Sequence, residues 1–143
     1  MISTHRKKKN KGFLLRTKTL AKRIATLALS KKASDVIIMD LRDVSDVADF
    51  FVLCSADSDT QVKAIADAIM DGTEKLGTPP WHREGVGNKQ WIVLDYVDVV
   101  AHVFLKEVRK FYSLEKLWGD ATIETIEDKP KPKRTTKKKK EKE

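Results

Sequence analysis

One cysteine in 143 residues, Cys54, excludes an internal disulfide and fits a reducing compartment. A small apolar residue buried on a strand is the simplest role for it. No apolar run approaches the roughly 20 residues of a membrane helix, and the opening lacks the apolar core, about 7 to 15 residues long, of a secretory signal. The six glycines form no phosphate-cradling loop, and no nucleophile stands with its base in a recognisable motif. Acids are missing too, but only from one region: none precedes Asp35.

That last absence organises the charge. From Ala33 to Asp128 nine Lys and Arg face nineteen Asp and Glu, a formal balance of −10, although the whole chain carries +8. The basic excess therefore lies at the ends. Arg6, Lys7, Lys8, Lys9 and Lys11 open the chain, and the stretch from Lys129 to Glu143 holds eight lysines and Arg134. An acidic body suits a basic protein surface, and basic tails suit phosphate. The ribosome presents both. The basic, acid-free start has the look of an organelle transit peptide. However, Leu20, Ile24, Leu27 and Leu29, with Ala21, Ala25 and Ala28, form an amphipathic stripe that the domain needs for its own core. A bacterial cytoplasm is the expected location, an organelle matrix the alternative.

The length allows one hydrophobic core. We expect a basic extension over residues 1–16, a domain over 17–127 and a disordered Lys-rich tail over 128–143. Within the domain, periodicity predicts a helix over 17–31, buried strands at Val36 to Leu41 and Phe50 to Cys54, and a helix capped by Ser58 or Asp59 and ended by Gly77. A short strand at Trp81 to Glu84, a pair at Gln90 to Asp95 and Asp98 to Phe104, and a helix from Lys106 to Trp118 follow. A strand, helix, strand unit implies a right-handed parallel crossover, and the closing hairpin is antiparallel. The expectation is a single α/β domain with a mixed five-stranded sheet and three helices.

A two-residue turn at Tyr96 and Val97 would set Asp95 opposite Asp98, Val93 opposite Val100 and Trp91 opposite His102. Ile92, Leu94, Val99, Ala101 and Val103 then form the core face. The opposite face joins an aromatic anchor to two acids that repel across the ladder, which a cation on a partner would relieve. The competing reading packs Trp91 beneath the last helix, whose stripe Val108, Phe111, Leu114, Leu117 and Trp118 reads as core with Tyr112 and Glu115 at its edge, and leaves both aspartates in solvent.

His82 and His102 belong to no metal-ligand spacing, so neither a metal nor another cofactor is expected. An enzyme reading rests on Ser55, Asp57, Ser58 and Asp59 after a buried strand, where nucleotidyltransferases hold divalent metal. Those enzymes place two alternating acids on the next strand. Here Asp57 and Asp59 fall in the loop or first helical turn, where capping explains them.

From about Thr17 to Glu127, the stretches DVIIMDLRDVSDVADFFVLCSADSDTQVKAIAD, WHREG, WIVLDYVDVVAHVF and FYSLEKLWGDA closely resemble the ribosomal silencing factor family, also called Iojap-like proteins. The resemblance implies a nucleotidyltransferase-like fold without catalytic acids and no enzymatic activity. It implies binding to protein L fourteen of the large ribosomal subunit, a steric block to small-subunit joining, and a homodimer as one form of the free protein. Carried onto this chain, the partner-binding face is Trp91 with Glu84, Asp95 and Asp98, and the register adds His102. Val97 stands where many members carry glycine. A β-branched residue resists the positive φ of a primed turn, which leaves the turn and the Asp95–Asp98 pairing open. The Lys-rich tail lies outside the family's core and is expected to add salt-sensitive contacts with ribosomal RNA.

Overall fold

The structure, a computed structural model, describes residues 11–127, and the side chains of the first helix from Arg16 onward. The Lys-rich tail and the first ten residues of the basic extension lie outside the described residues. The chain runs α1 (Lys11–Leu29), β1 (Ser34–Asp40), β2 (Phe50–Ala56), α2 (Asp59–Lys75), β3 (His82–Glu84), β4 (Trp91–Asp95), β5 (Val99–Leu105), α3 (Lys106–Tyr112), α4 (Leu114–Leu117) and β6 (Thr122–Ile126). Among the described residues no helix is long and apolar enough to cross a membrane.

The strands form one mixed sheet in the order β3-β4-β5-β2-β1-β6. β2 and β5 run parallel at its centre, and every other pairing is antiparallel. The apolar runs VIIM and FFVLC occupy interior positions because each is covered on both faces. On one face α1 and α2 seal a core of Ile24, Ile38, Val52, Ile65, Ile92, Leu94 and Val103. Cys54 belongs to this layer, and burial pushes its thiol up to about 12, so it is a packing residue. Tyr96 closes the same layer, its hydroxyl 2.8 Å from Thr73 Oγ1. The other face carries Ile37, Met39, Phe51, Leu53 and Phe104 and, among the described residues, is covered by the short α3 and α4 segment and by Leu41, Val44 and Ala48 of the loop after β1.

Local signals account for most boundaries. Ser58 caps α2 by accepting the Gln61 N–H, and Gly77 follows at φ 84. Gly72 lets α1 approach, since a Cβ there would come within 2.5 Å of Leu27.

Three expectations are corrected. The sheet has six strands: Thr122–Ile126 pairs with β1 as an edge strand, and its exposed side chains hide it from any search for buried runs. The last helix is not continuous to Trp118. Ser113 adopts the left-handed conformation (φ 48, ψ 57), ends α3 and starts α4, turning the apolar stripe of one helix away from that of the next. The hairpin register is shifted by two: Asp95 pairs with Val100, Val93 with His102, and Trp91 with Phe104. Val97 takes φ 74, the Asp98 N–H reaches Tyr96 O at 2.9 Å to close a γ-turn, and Asp95 Oδ1 accepts the Val97 N–H at 2.7 Å. That side-chain bond holds a β-branched residue where sterics disfavour it.

Candidate functional site

A register slip of two residues preserves which face each side chain uses, because strand side chains alternate with period two. Trp91, Val93 and Asp95 of β4 therefore still share a face with Val100, His102 and Phe104 of β5, and β3 adds His82 opposite Asp95 and Glu84 opposite Val93. This is the thinly covered face.

Trp91 is half-buried at its centre. Its ring stacks on Phe104, with centroids 4.8 Å apart, and meets Tyr112 of α3 at 4.8 Å. Its Nε1–H donates to His102 Nδ1 at 3.1 Å. In the observed register His102 is the diagonal neighbour of Trp91, two positions from its direct partner Phe104, and still within reach of a large aromatic. The packing of Trp91 under the last helix and its availability to solvent thus coexist. Between Trp91 and the α3 residues Glu107, Val108 and Phe111 opens a surface cavity of about 420 Å³. Phe111 lies 5.0 Å from Tyr112 and is 80% exposed, and Leu117 on α4 is 69% exposed. Phe111 and Leu117 were expected in the core. The break at Ser113 leaves Leu114 buried while these two face outward, and of the two Phe111 adjoins Trp91. Reading the serine in FYSLEKL as a helix break would have found it.

The acids divide. Glu84 is exposed and bonds to His82 at 2.9 Å. Asp95 lies on the same face with one oxygen occupied by the turn. Asp98 does not join them. It sits in the turn, its carbonyl accepting the Asp49 and Phe50 N–H groups, and it lines a separate cavity of about 590 Å³ with Arg16, Leu20 and Arg23 of α1. Asp95 and Asp98 are therefore not cross-strand partners, because Asp95 pairs with Val100 and Asp98 closes the turn at Val97.

His102 is buried and neutral. Burial pushes its imidazole down from 6.5 to about 3. With Nδ1 accepting from Trp91, the ring proton resides on Nε2, which has no hydrogen-bond partner among the described residues. An unsatisfied buried donor costs about 1–3 kcal/mol. Gly85 supports the same tryptophan from below. It has φ 80, and a Cβ there would stand 2.0 Å from the Trp91 carbonyl oxygen. Gly85→Ala is accordingly expected to lower stability by about 2 kcal/mol, read from the urea midpoint. A change under a few tenths would show that the loop relaxes freely.

The residues of the enzyme reading do not converge. The Asp57 carboxylate is 2.7 Å from Lys106 Nζ, Asp59 lies in the first turn of α2, and Ser55 is buried against Arg109. Among the described residues no group of three or more His, Cys, Asp or Glu could hold a metal ion.

Comparison with known proteins adds a family. Residues 15–143 match the model of the family described as ribosomal silencing factor during starvation. The chain is 40% identical over 110 residues to the ribosomal silencing factor of Bacillus subtilis, covering 77% of this chain and 93% of that protein. It is 34% identical over 99 residues to the chloroplastic Iojap protein of Zea mays, covering 69% of this chain and 43% of that one. A crystal structure of a Chromobacterium violaceum protein superposes with a TM-score of 0.70 at 28% identity, covering 80% of this chain and 96% of that chain. One from Bacillus halodurans does so with a TM-score of 0.63 at 34% identity, covering 82% and 99%.

Proposed function

This chain belongs to the ribosomal silencing factor family, and on that premise we propose that it binds protein L fourteen of the large ribosomal subunit and sterically blocks joining of the small subunit, lowering translation when nutrients are scarce. The family is one of ribosome-associated regulators of translation and not of enzymes. The observation that carries the finer reading is the face around Trp91. It combines a half-buried tryptophan, the exposed Phe111 and the carboxylates Glu84 and Asp95 on the one side of the sheet that α1 and α2 do not cover.

Such a face suits a basic protein surface. The aromatic supplies contact area with little rotamer freedom left to lose, and the acids steer and orient the encounter. His102, buried beneath Trp91, supports the face from within. No chemical step is needed, because the bulk of the domain occupies the space a subunit bridge requires. The Lys-rich tail adds a salt-sensitive attraction to ribosomal RNA without choosing the site. The setting is a bacterial cytoplasm; an organelle matrix is the alternative, as for the maize relative named chloroplastic.

Sucrose-gradient co-sedimentation with purified large and small subunits tests this. At moderate salt the full chain should travel with the large subunit alone, and Trp91→Ala should weaken that binding about 30-fold, the loss of a contact of about 2 kcal/mol. Equal binding of parent and variant would move the site away from Trp91. Absence of binding at every salt concentration would end the silencing reading.

A further inference from the structure

His102 is the odd residue of the second core layer. It is 6% exposed, and the aromatic rings of Phe51, Phe104 and Trp91 pack around it at centroid distances of 4.6, 6.0 and 5.9 Å. A leucine would suit these surroundings without burying a polar atom. Histidine instead leaves Nε2 unpaired, and among the described residues its only side-chain hydrogen bond is the one it accepts from Trp91. Stability does not account for that choice. The bond to Trp91 does, because ring contacts with Phe104 and Tyr112 alone do not choose between orientations of the indole, whereas an N–H donor aimed at a fixed acceptor selects one.

We infer that His102 is a positioning residue, buried so that its Nδ1 holds the Trp91 indole in the single orientation in which its exposed edge meets the partner. The inference rests on the reading that Trp91 contacts the ribosome and assigns His102 a role behind that contact, not within it. A ring already fixed in the free protein loses no rotamer freedom on docking, and that saving appears as affinity.

The test uses the full chain labelled with ¹⁵N at its tryptophan indoles, the Trp91 resonance being identified by Trp91→Phe. In His102→Leu the melting temperature should not fall by more than a few degrees, since an unpaired donor is removed along with the acceptor. The Trp91 indole proton should move upfield and exchange faster with water. Affinity for the large subunit should drop about fivefold to tenfold. His102→Asn, whose Oδ1 can stand near the lost Nδ1, should recover both the indole shift and the binding.

A folded His102→Leu protein with parental affinity, or with an unmoved indole resonance, would overturn the inference. So would His102→Asn with a restored resonance and unrestored binding. If His102→Leu does not fold, His102→Asn decides alone: a parental resonance with parental affinity supports the role, and parental affinity with a displaced resonance refutes it. A parent that fails to bind the large subunit would instead sink the ribosomal reading, and this role with it.

Discussion

Arg109→Ala is expected to lower folding stability by about 3 to 4 kcal/mol, the largest loss anticipated for any single truncation outside the apolar core. The side chain is only 10% exposed, and its guanidinium joins four elements. Nε and one terminal nitrogen hold Glu115 of α4 at 3.0 and 2.8 Å. The other terminal nitrogen donates to the Asp35 carbonyl of β1 at 2.7 Å and to Ser55 Oγ of β2 at 2.9 Å. The Asp35 contact exists because β1 bulges between Ser34 and Ile37, with Asp35 at φ 50, so that its carbonyl turns toward α3. Alanine would strand the buried Ser55 hydroxyl, remove the donor to the Asp35 carbonyl and loosen α4 from α3.

Against a total stability of roughly 5–15 kcal/mol for a domain of this size, such a loss lowers the melting temperature by on the order of 10 °C. Urea unfolding of parent and variant measures it. A second variant separates charge from packing. Arg109→Met with Glu115→Leu should recover only the part of the loss that comes from the unpaired Glu115 carboxylate, because the Asp35 carbonyl and the Ser55 hydroxyl still lack the guanidinium. A loss below about 1 kcal/mol in Arg109→Ala would mean that water replaces the guanidinium without strain.

Arg109 also marks where sequence reasoning stops. The buried strands, the Ser58 cap and the stop at Gly77 were legible, since each depends on residues adjacent in the chain. The face shared by Trp91, Asp95 and His102 was legible as well, and for a physical reason: the register was misjudged by two, and an even slip leaves faces unchanged. Asp98 was misplaced because it belongs to the turn, and the turn depends on Asp95 accepting the Val97 N–H, a bond no propensity predicts. β6 escaped notice because an edge strand with exposed side chains needs only a neighbour with free backbone groups, not a buried pattern. The alternation in TIETI was its one signal. The exposed Phe111 and Leu117 depended on one dihedral pair at Ser113, which sequence periodicity averages away.

Acid should destabilise this protein well before its carboxylates are titrated, and His102 is the reason. In the folded state burial holds its pKa at about 3; in the unfolded chain it returns to about 6.5. Between those values the unfolded state binds a proton that the native state does not, so stability rises with pH across the window and falls as pH is lowered. At pH 4.5, two units below the unfolded value, the loss is roughly 3 kcal/mol relative to pH 7.5. Two other groups act outside this window, Asp40 with the same sign and Tyr96 with the opposite one. Asp40, held low by the Arg42 hydrogen bond, contributes only as pH falls below its unfolded value of 3.8. Tyr96, raised by burial, matters only in alkali, where the unfolded chain ionises first. Urea unfolding of the parent at half-unit steps from pH 7.5 to 4.5 should trace a slope approaching 1.4 kcal/mol per unit below pH 6. In His102→Leu that part of the slope should vanish. The two curves should diverge on acidification, so that the variant is the more stable protein at pH 4.5. A parent curve flat across this range would mean that the protonated imidazole is accommodated in the fold, with Trp91 released from it, and a slope that survives in the variant would assign the acid sensitivity to groups other than His102.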